Sequence, residues 1–417
     1  MESKKKIIVA HPGKQHSFRL ATALKKKGIL FKYLTTVYYK QDSRMLPLIN
    51  KILNGKFFNS IKSRKCEFLD DEDVQQYYSL FSLVTLLLVR LNNGGRIYHL
   101  WNNLVTDMFG RRVAKYAIKN KVDVVIMYDT TADVCFKILK KKAPHIRLVI
   151  DSSAACNEYV IRTFERDIKK FPDGSLKKEA AIFWNKKMRR QLKRERENAD
   201  VYLVPSTYCK KSLLQYINCE KKIYIIPYGS NFEIHHKKHF FHNNVINFLF
   251  VGQVGYRKGA HYLLEAFSKL QKEKVHLNLI GMYDKSGKIY NKYKNCSNIS
   301  FAGFVEHAHI MDYYKQADVM IIPTLSEGMT LAGIEGLSFG LPLICTENSG
   351  VNDFIVNEEN GIVIPSQSEN AIINAVQWFI NNTDKINCMS NNACESAKKN
   401  SWERYYSDMA KVFDEQI

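Results

Sequence analysis

Two glutamates, Glu327 and Glu335, stand eight positions apart in the stretch Thr324 to Ile344, TLSEGMTLAGIEGLSFGLPLI, with glycines on both sides. Carboxylates accept hydrogen bonds from ligand hydroxyls, and a glycine before a helix start offers free amides to an anion. The apolar run DVMIIP ends at Pro323, Thr324 to Met329 turns, and a helix begins at Thr330 or Leu331 and stops near Gly340, with Pro342 just beyond. Eight helical steps rotate by about 80°, so two acids on one helix would not share a face. With Glu327 in the loop and Glu335 in the helix, both can border a ligand at the helix N-terminus. Gly328 would allow close backbone approach there, and the amides of Met329, Thr330 and Leu331 would receive an anion or hydroxyl. The bland account is that Glu327 simply favours a positive helix end and Glu335 is solvated; spacing alone does not separate the two.

Other constellations are less specific. LDDEDV contains Asp71-x-Asp73, a spacing that metal-dependent sugar transferases of another fold use for a divalent ion and diphosphate. It also precedes a helical pattern, where acids cap the positive end, and capping is the preferred reading, so no metal site is expected. His235, His236, His239 and His242 have ligand-like spacing without an ordered helix or carboxylate partner, and read as solvated linker. GKQHS, from Gly13, has a Walker-like look, but Ile8 stands where a P-loop needs its first glycine. His11 and His16 then either touch phosphate or acceptor or only shape the turn. WNKKMRRQLKRERENAD is a basic helix whose bland account is a solvated face. Its functional account is attraction to anionic lipid, worth about 1 kcal/mol per basic residue near the surface. The apolar pattern from Tyr77 to Val89 suits a buried helix better than an interfacial one.

These groups need a scaffold, and the chain describes one. KKIIVA, LFKYLTT, VDVVIMY, IRLVID, ADVYLVP and KIYIIP are short apolar strand candidates separated by helix-length segments, notably Lys177 to Ala199. The second half repeats the arrangement with INFLFVG, VHLNLIG, NISFAG, DVMIIP, LPLIC and GIVIP. Such alternation implies α/β architecture with two doubly wound, Rossmann-like parallel sheets facing across a cleft, where ligands bind beyond the carboxyl ends of the strands. The expected divisions are a basic first domain over 1–228, a linker over 229–244, a second domain over 245–399, and a terminal helix over 400–417 that packs back on the first domain.

Composition narrows the partners. At 417 residues the chain exceeds one ordinary core. No run approaches the roughly 20 apolar residues of a membrane span, the longest being LFSLVTLLLV at Leu80 to Val89. The N-terminus shows no long apolar stretch or small-residue cleavage site, and nine scattered cysteines without a CxxC pair suit a reducing compartment, so a cytoplasmic location is expected. Residues 1–228 carry 45 Lys+Arg against 21 Asp+Glu, while 229–417 carry 17 against 20. A basic half beside a nearly neutral one points to an anionic partner on the first half alone: nucleic acid, an anionic membrane leaflet or a phosphorylated acceptor.

VGQVGYRKGAHYLLEAF, NISFAGFV, YYKQADVMIIPTLSEGMTLAGIEGLSFGLPLIC and NGIVIP together resemble the nucleotide-sugar-binding half of family 4 glycosyltransferases of the GT-B fold. VPSTYCKKSL, KIYIIPYGSN and SWERYY extend the resemblance through the hinge and final helix. It implies that Glu335 accepts hydrogen bonds from the ribose of the donor nucleotide and that Glu327 holds hydroxyls of the transferred sugar. Lys258 would neutralise the diphosphate, Gly252 would begin the donor loop, and Gly303 and Phe304 would lie beside the base. It further implies retention of anomeric configuration, with no metal and no cofactor. Where relatives commonly carry arginine after the first loop glycine this chain has Gln253, and Arg257 would supply the second charge. Where many relatives present a first-domain histidine to the donor sugar, the strand ends here read MYDTTAD and VIDSSAA, leaving Asp129, Asp151 and Ser152 nearby, with Gly13 and His16 on the acceptor side.

The expected function is transfer of a sugar from a nucleotide-sugar donor to a saccharide or lipid-linked acceptor, in cell-surface polysaccharide or glycolipid synthesis, with the first domain resting on the inner membrane face. A nucleotide-sugar epimerase or phosphorylase of the same fold is the alternative within enzymes. A nucleic-acid binder rests on charge alone, because no recognition signature accompanies it, and no nucleic acid partner is expected.

Overall fold

A computed structural model describes residues 5–13, 16–40, 61–92, 95–217, 221–236 and 245–415. His239, His242 and Cys219 lie outside them. In the first half, β1 (Ile7–Ala10), β2 (Leu30–Thr35), β3 (Val74–Gln76), β4 (Val124–Tyr128), β5 (Arg147–Asp151), β6 (Val201–Val204) and β7 (Lys222–Ile225) form one sheet. Every pairing is parallel and the order is β3-β2-β1-β4-β5-β6-β7. In the second half, β8 (Ile246–Val251), β9 (Val275–Ile280), β10 (Ile299–Gly303), β11 (Val319–Ile322), β12 (Leu343–Thr346) and β13 (Gly361–Ile364) form another, in the order β10-β9-β8-β11-β12-β13. Helices cross over both faces, so central strands such as VVIMY and VMII are buried along their whole length and read as continuous apolar runs.

The first-half crossovers are α1 (Ser17–Lys26), α2 (Ser79–Asn92), α3 (Arg96–Lys119), α4 (Asp133–Lys142), α5 (Asn157–Lys170), α6 (Ser175–Glu179), α7 (Lys186–Asn198) and α8 (Thr207–Leu214). The second half supplies α9 (Ala260–Lys269), α10 (Lys288–Tyr293), α11 (His307–Gln316), α12 (Leu331–Ser338), α13 (Glu369–Asn381), α14 (Ile386–Lys399) and α15 (Trp402–Glu415). The last of these returns to α1, where Arg19 donates to the Tyr406 hydroxyl at 2.7 Å and Lys26 pairs with Glu403 at 2.7 Å.

Three local expectations change. The helix read over Lys177 to Ala199 is broken: α6 ends at Glu179, a 3₁₀ turn covers Ala181–Trp184, and α7 restarts where the Asn185 side chain accepts from the Met188 amide at 3.0 Å. The acids of LDDEDV cap and form a short 3₁₀ turn, Asp71–Asp73, that leads into the edge strand β3 rather than a longer helix; Lys25 draws in Asp70 at 3.0 Å and Asp73 at 2.7 Å, and Asp73 accepts from the Asp70 amide at 2.9 Å. The helix at Leu80 to Val89 is not buried. Its apolar residues face several directions, α3 covers only one side, and the other remains open.

Candidate active site

In a doubly wound sheet the crevice opens where the strand order reverses, at the carboxyl ends of the strands. That point lies between β8 and β11 in the second sheet and between β1 and β4 in the first. The loops leaving β8 and β11 carry Gln253 to Lys258 and Thr324 to Thr330. They are pinned together. Leu325 donates its amide to the Arg257 carbonyl at 3.0 Å, and Gly259, at φ +71, sits so close to the β11 end that an added Cβ would lie 1.9 Å from the Pro323 carbonyl oxygen.

This brings Lys258 and Glu327 into an ion pair, both only partly exposed. The second oxygen of Glu327 lies 3.2 Å from the Thr330 hydroxyl at the start of α12. Glu335, one turn inside α12, accepts from the Tyr314 hydroxyl at 2.9 Å. Tyr314 is wholly buried and stacks on Phe339 with centroids 5.1 Å apart; burial and the Glu335 carboxylate push its hydroxyl pKa well up, so it stays a donor and orients the acid. Nothing near Glu335 in sequence announced Tyr314, which arrives from α11.

The α12 N-terminus is less open than its sequence suggests. The Thr330 amide is taken by the Ser349 carbonyl at 3.1 Å, whereas the amides of Met329 and Leu331 have no hydrogen-bond partner among the described residues. Gly328 faces the first domain rather than open space: an added Cβ would lie 1.9 Å from the Ser153 carbonyl oxygen, and Ser206 donates to the Gly328 carbonyl at 2.6 Å. Arg257 does not join the Lys258 pair. Its guanidinium lies over the Phe183 ring, 5.4 Å from the centroid, with Nε buried and without a hydrogen bond. Gln253 is exposed, Gly252 lies alongside the Lys258 stem, Gly303 borders Tyr283, and Phe304 is 72% exposed.

First-domain groups hold both loops. The Glu179 carboxylate accepts from the amides of Tyr256 at 2.7 Å and Arg257 at 3.1 Å. Tyr208 donates to Ser326 at 2.8 Å, and Asp353 accepts from the Thr207 amide at 2.7 Å. Sequence reasoning found none of these, because each pair is separated by more than 70 residues.

Across the cleft, His16 stands at the N-cap of α1 with Nε2 3.2 Å from Asp151 Oδ2 and 3.1 Å from the Tyr228 hydroxyl. The imidazole thus arrives from the β1 loop, while Asp129 occupies the end of β4. Burial, then the Asp151 carboxylate, raises the Asp129 pKa to about 7; His16 opposes this. His11 Nδ1 lies 2.9 Å from both the amide nitrogen and the carbonyl oxygen of Gly13, and burial lowers its pKa to about 4. Glu195 on α7, fully buried, accepts from the amides of Thr130 at 2.8 Å, Ala132 at 3.0 Å and Asp133 at 3.1 Å, fixing the loop that carries Asp129; burial raises its pKa to about 8. Among the described residues no cluster of His, Cys, Asp and Glu could hold a metal ion, and no helix is long and apolar enough to cross a membrane.

Residues 231–396 match the family model described as glycosyl transferases group 1. An uncharacterized glycosyltransferase of Methanocaldococcus jannaschii is 26% identical over 225 residues, 52% of this chain and 60% of that protein. The capsular polysaccharide biosynthesis glycosyltransferase CapM of Staphylococcus aureus is 24% identical over 198 residues, 44% of this chain and 52% of its own. These matches therefore span three fifths or less of the curated relatives. Sucrose-phosphate synthase from Thermosynechococcus elongatus superposes with a TM-score of 0.64 at 17% identity, covering 98% of both chains. Anabaena HepE in complex with UDP-glucose gives 0.59 at 12% or less, 11% in this complex, over 98% of this chain and 99% of that one. The second domain thus matches the group 1 glycosyl transferases, and the chain as a whole has the two-sheet GT-B architecture of these solved enzymes.

Proposed function

We propose that the protein is a glycosyltransferase that uses a nucleotide-sugar donor, retains anomeric configuration and needs no metal. The observation that carries the reading is the Lys258–Glu327 pair at the second switch point, with Glu335 held by Tyr314 in the helix that follows. A leaving nucleoside diphosphate accumulates negative charge, which a placed ammonium and helix-start amides stabilise. In this reading Lys258 and the amides of Met329 and Leu331 receive the diphosphate, and the buried, unpartnered Arg257 Nε turns toward it as a second donor. Glu335 takes the ribose, Glu327 the hydroxyls of the transferred sugar, and Phe304 with Gly303 the base. Asp129, His16 and Asp151 face the reacting sugar from the first domain, where the acceptor binds; lipid-linked saccharide fits the excess of cations there. The match to the group 1 family and the relatives named for capsular polysaccharide synthesis support transfer over epimerisation.

A thermal-shift panel of UDP, GDP and ADP, followed by turnover with the matching sugar nucleotides in the presence of a chelator, tests this. Stabilisation by one nucleotide and release of that nucleotide with a glycosylated product are expected, and the product's anomeric configuration read by NMR decides retention. Stabilisation by none of them in a folded sample sinks the reading.

A further inference from the structure

Among the described residues, eighteen large apolar side chains are substantially exposed, and nine of them fall between Leu80 and Leu104. They are ordered. On α2, Leu80, Val84, Leu87 and Leu91 recur at helical spacing, and on α3 Ile97, Leu100 and Leu104 do the same, so each helix presents an apolar stripe to solvent. The two helices are locked to each other: Trp101 stacks on Phe81 with centroids 5.8 Å apart and donates to the Phe81 carbonyl at 2.9 Å. A contiguous apolar surface of this kind on a soluble scaffold marks an interaction site.

Behind the hairpin opens a cleft of about 900 Å³ that runs from Leu86 and Leu100 to His11 and Thr130, at the carboxyl ends of β1 and β4. Among the described residues its charged lining is Arg64, Arg96 and Lys187 against one acid, Asp107. Arg64 has no carboxylate partner among the described residues, and burial lowers its pKa, so a cation lines the cleft partly stripped of water. Lys187 belongs to the first turn of α7, where Lys186, Lys187, Arg189 and Arg190 are all exposed and no acid accompanies them. Cations at the positive end of a helix oppose its dipole. Local stability therefore does not explain that turn, whereas an anionic surface beside the apolar hairpin does.

We propose that the α2–α3 hairpin seats the protein on an anionic lipid surface and that the cleft behind it receives the phosphorylated headgroup of a lipid acceptor, with Arg64 as its counter-ion. This rests on the glycosyltransferase reading for the word acceptor alone; the lipid contact stands independently. The apolar stripes enter the interface while the first turn of α7 meets the headgroups, and an acceptor drawn from the layer then reaches the His16–Asp151 side of the crevice without leaving the protein.

Flotation of the full chain with vesicles of phosphatidylcholine, with and without phosphatidylglycerol, tests the surface. Recovery with the anionic vesicles is expected, falling at least ten-fold for the Leu91→Glu, Leu100→Glu double variant while its melting temperature and nucleotide-induced shift stay unchanged. Recovery of that variant equal to the parent overturns the proposal, as does a parent that stays with neither vesicle. A dimer in solution that this variant dissociates, without vesicle binding by the parent, overturns it too by assigning the stripes to a second copy. For the cleft, Arg64→Gln should retain flotation but weaken binding of farnesyl phosphate about ten-fold or more; unchanged binding removes Arg64 from the headgroup site. A retained nucleotide shift alongside failed flotation separates loss of this proposal from loss of the enzymatic one.

Discussion

At the crevice of the second sheet, the charged groups named for the donor meet partners already in place: Lys258 faces Glu327, and Glu335 faces the Tyr314 hydroxyl. At the matching crevice of the first sheet, burial drives His11 toward the neutral form and raises the pKa values of Asp129 and Glu195. The strand order is the same on both sides, so the difference lies in the loops. One crevice pairs its charges directly; in the other, burial works against the charged forms of His11, Asp129 and Arg64. In the proposed reaction the directly paired side is the one that would stabilise a departing polyanion.

The contrast can be broken. Lys258→Ala carries the largest expected effect, a fall in donor turnover of about 10²–10³-fold with an unchanged melting temperature, as for removal of one placed transition-state donor. Parental turnover in that variant would falsify the assignment of charge stabilisation to the second crevice. Glu335→Ala should weaken nucleotide binding by about 10- to 100-fold, the worth of hydrogen bonds to a charged group, read by calorimetry. Gly328→Ala drives a methyl into the Ser153 carbonyl and should destabilise the chain by about 1–3 kcal/mol in denaturant melts.

Acidity sharpens the comparison further. Because the Asp129 pKa is raised to about 7, the stability it contributes is complete below the ordinary carboxylate range and is lost as pH rises through 7; Glu195 extends that fall to about 8. His11 acts oppositely: its pKa is lowered to about 4, so its contribution is complete above the ordinary histidine value near 6.5 and is lost as pH falls toward 4. Melting temperature against pH should therefore steepen its acid-side decline in Asp129→Asn and flatten it in His11→Gln. Equal curves for both variants and the parent would place neither group in a desolvated crevice. Ser206→Ala, which removes one hydrogen bond to the Gly328 carbonyl, is the smallest test, at about 1 kcal/mol in the same melts.

Much of the scaffold was readable because buried parallel strands such as β4 and β11 leave short apolar runs, whereas among the described strands β3, three residues with two glutamines, leaves none. The start of α12 was readable from glycine and strand-end spacing around Glu327. What held these groups was not. Tyr314 reaches Glu335, and Glu179 reaches the amides of Tyr256 and Arg257, through packing between elements distant in sequence, where local periodicity carries no signal. The apolar hairpin shows the same limit in reverse. The apolar pattern of α2 was visible up to Val89 but was expected to be buried, and the stripe of α3 was not singled out, since which face stays uncovered depends on the neighbours the fold supplies.

The carboxylate of Glu179 spans the cleft to the turn that carries Lys258. Were the two sheets to part, the Tyr256 and Arg257 amides would lose this acceptor together with the Ser206–Gly328 and Tyr208–Ser326 bonds, so Glu179 is one of several first-domain groups on which the shape of the donor turn depends.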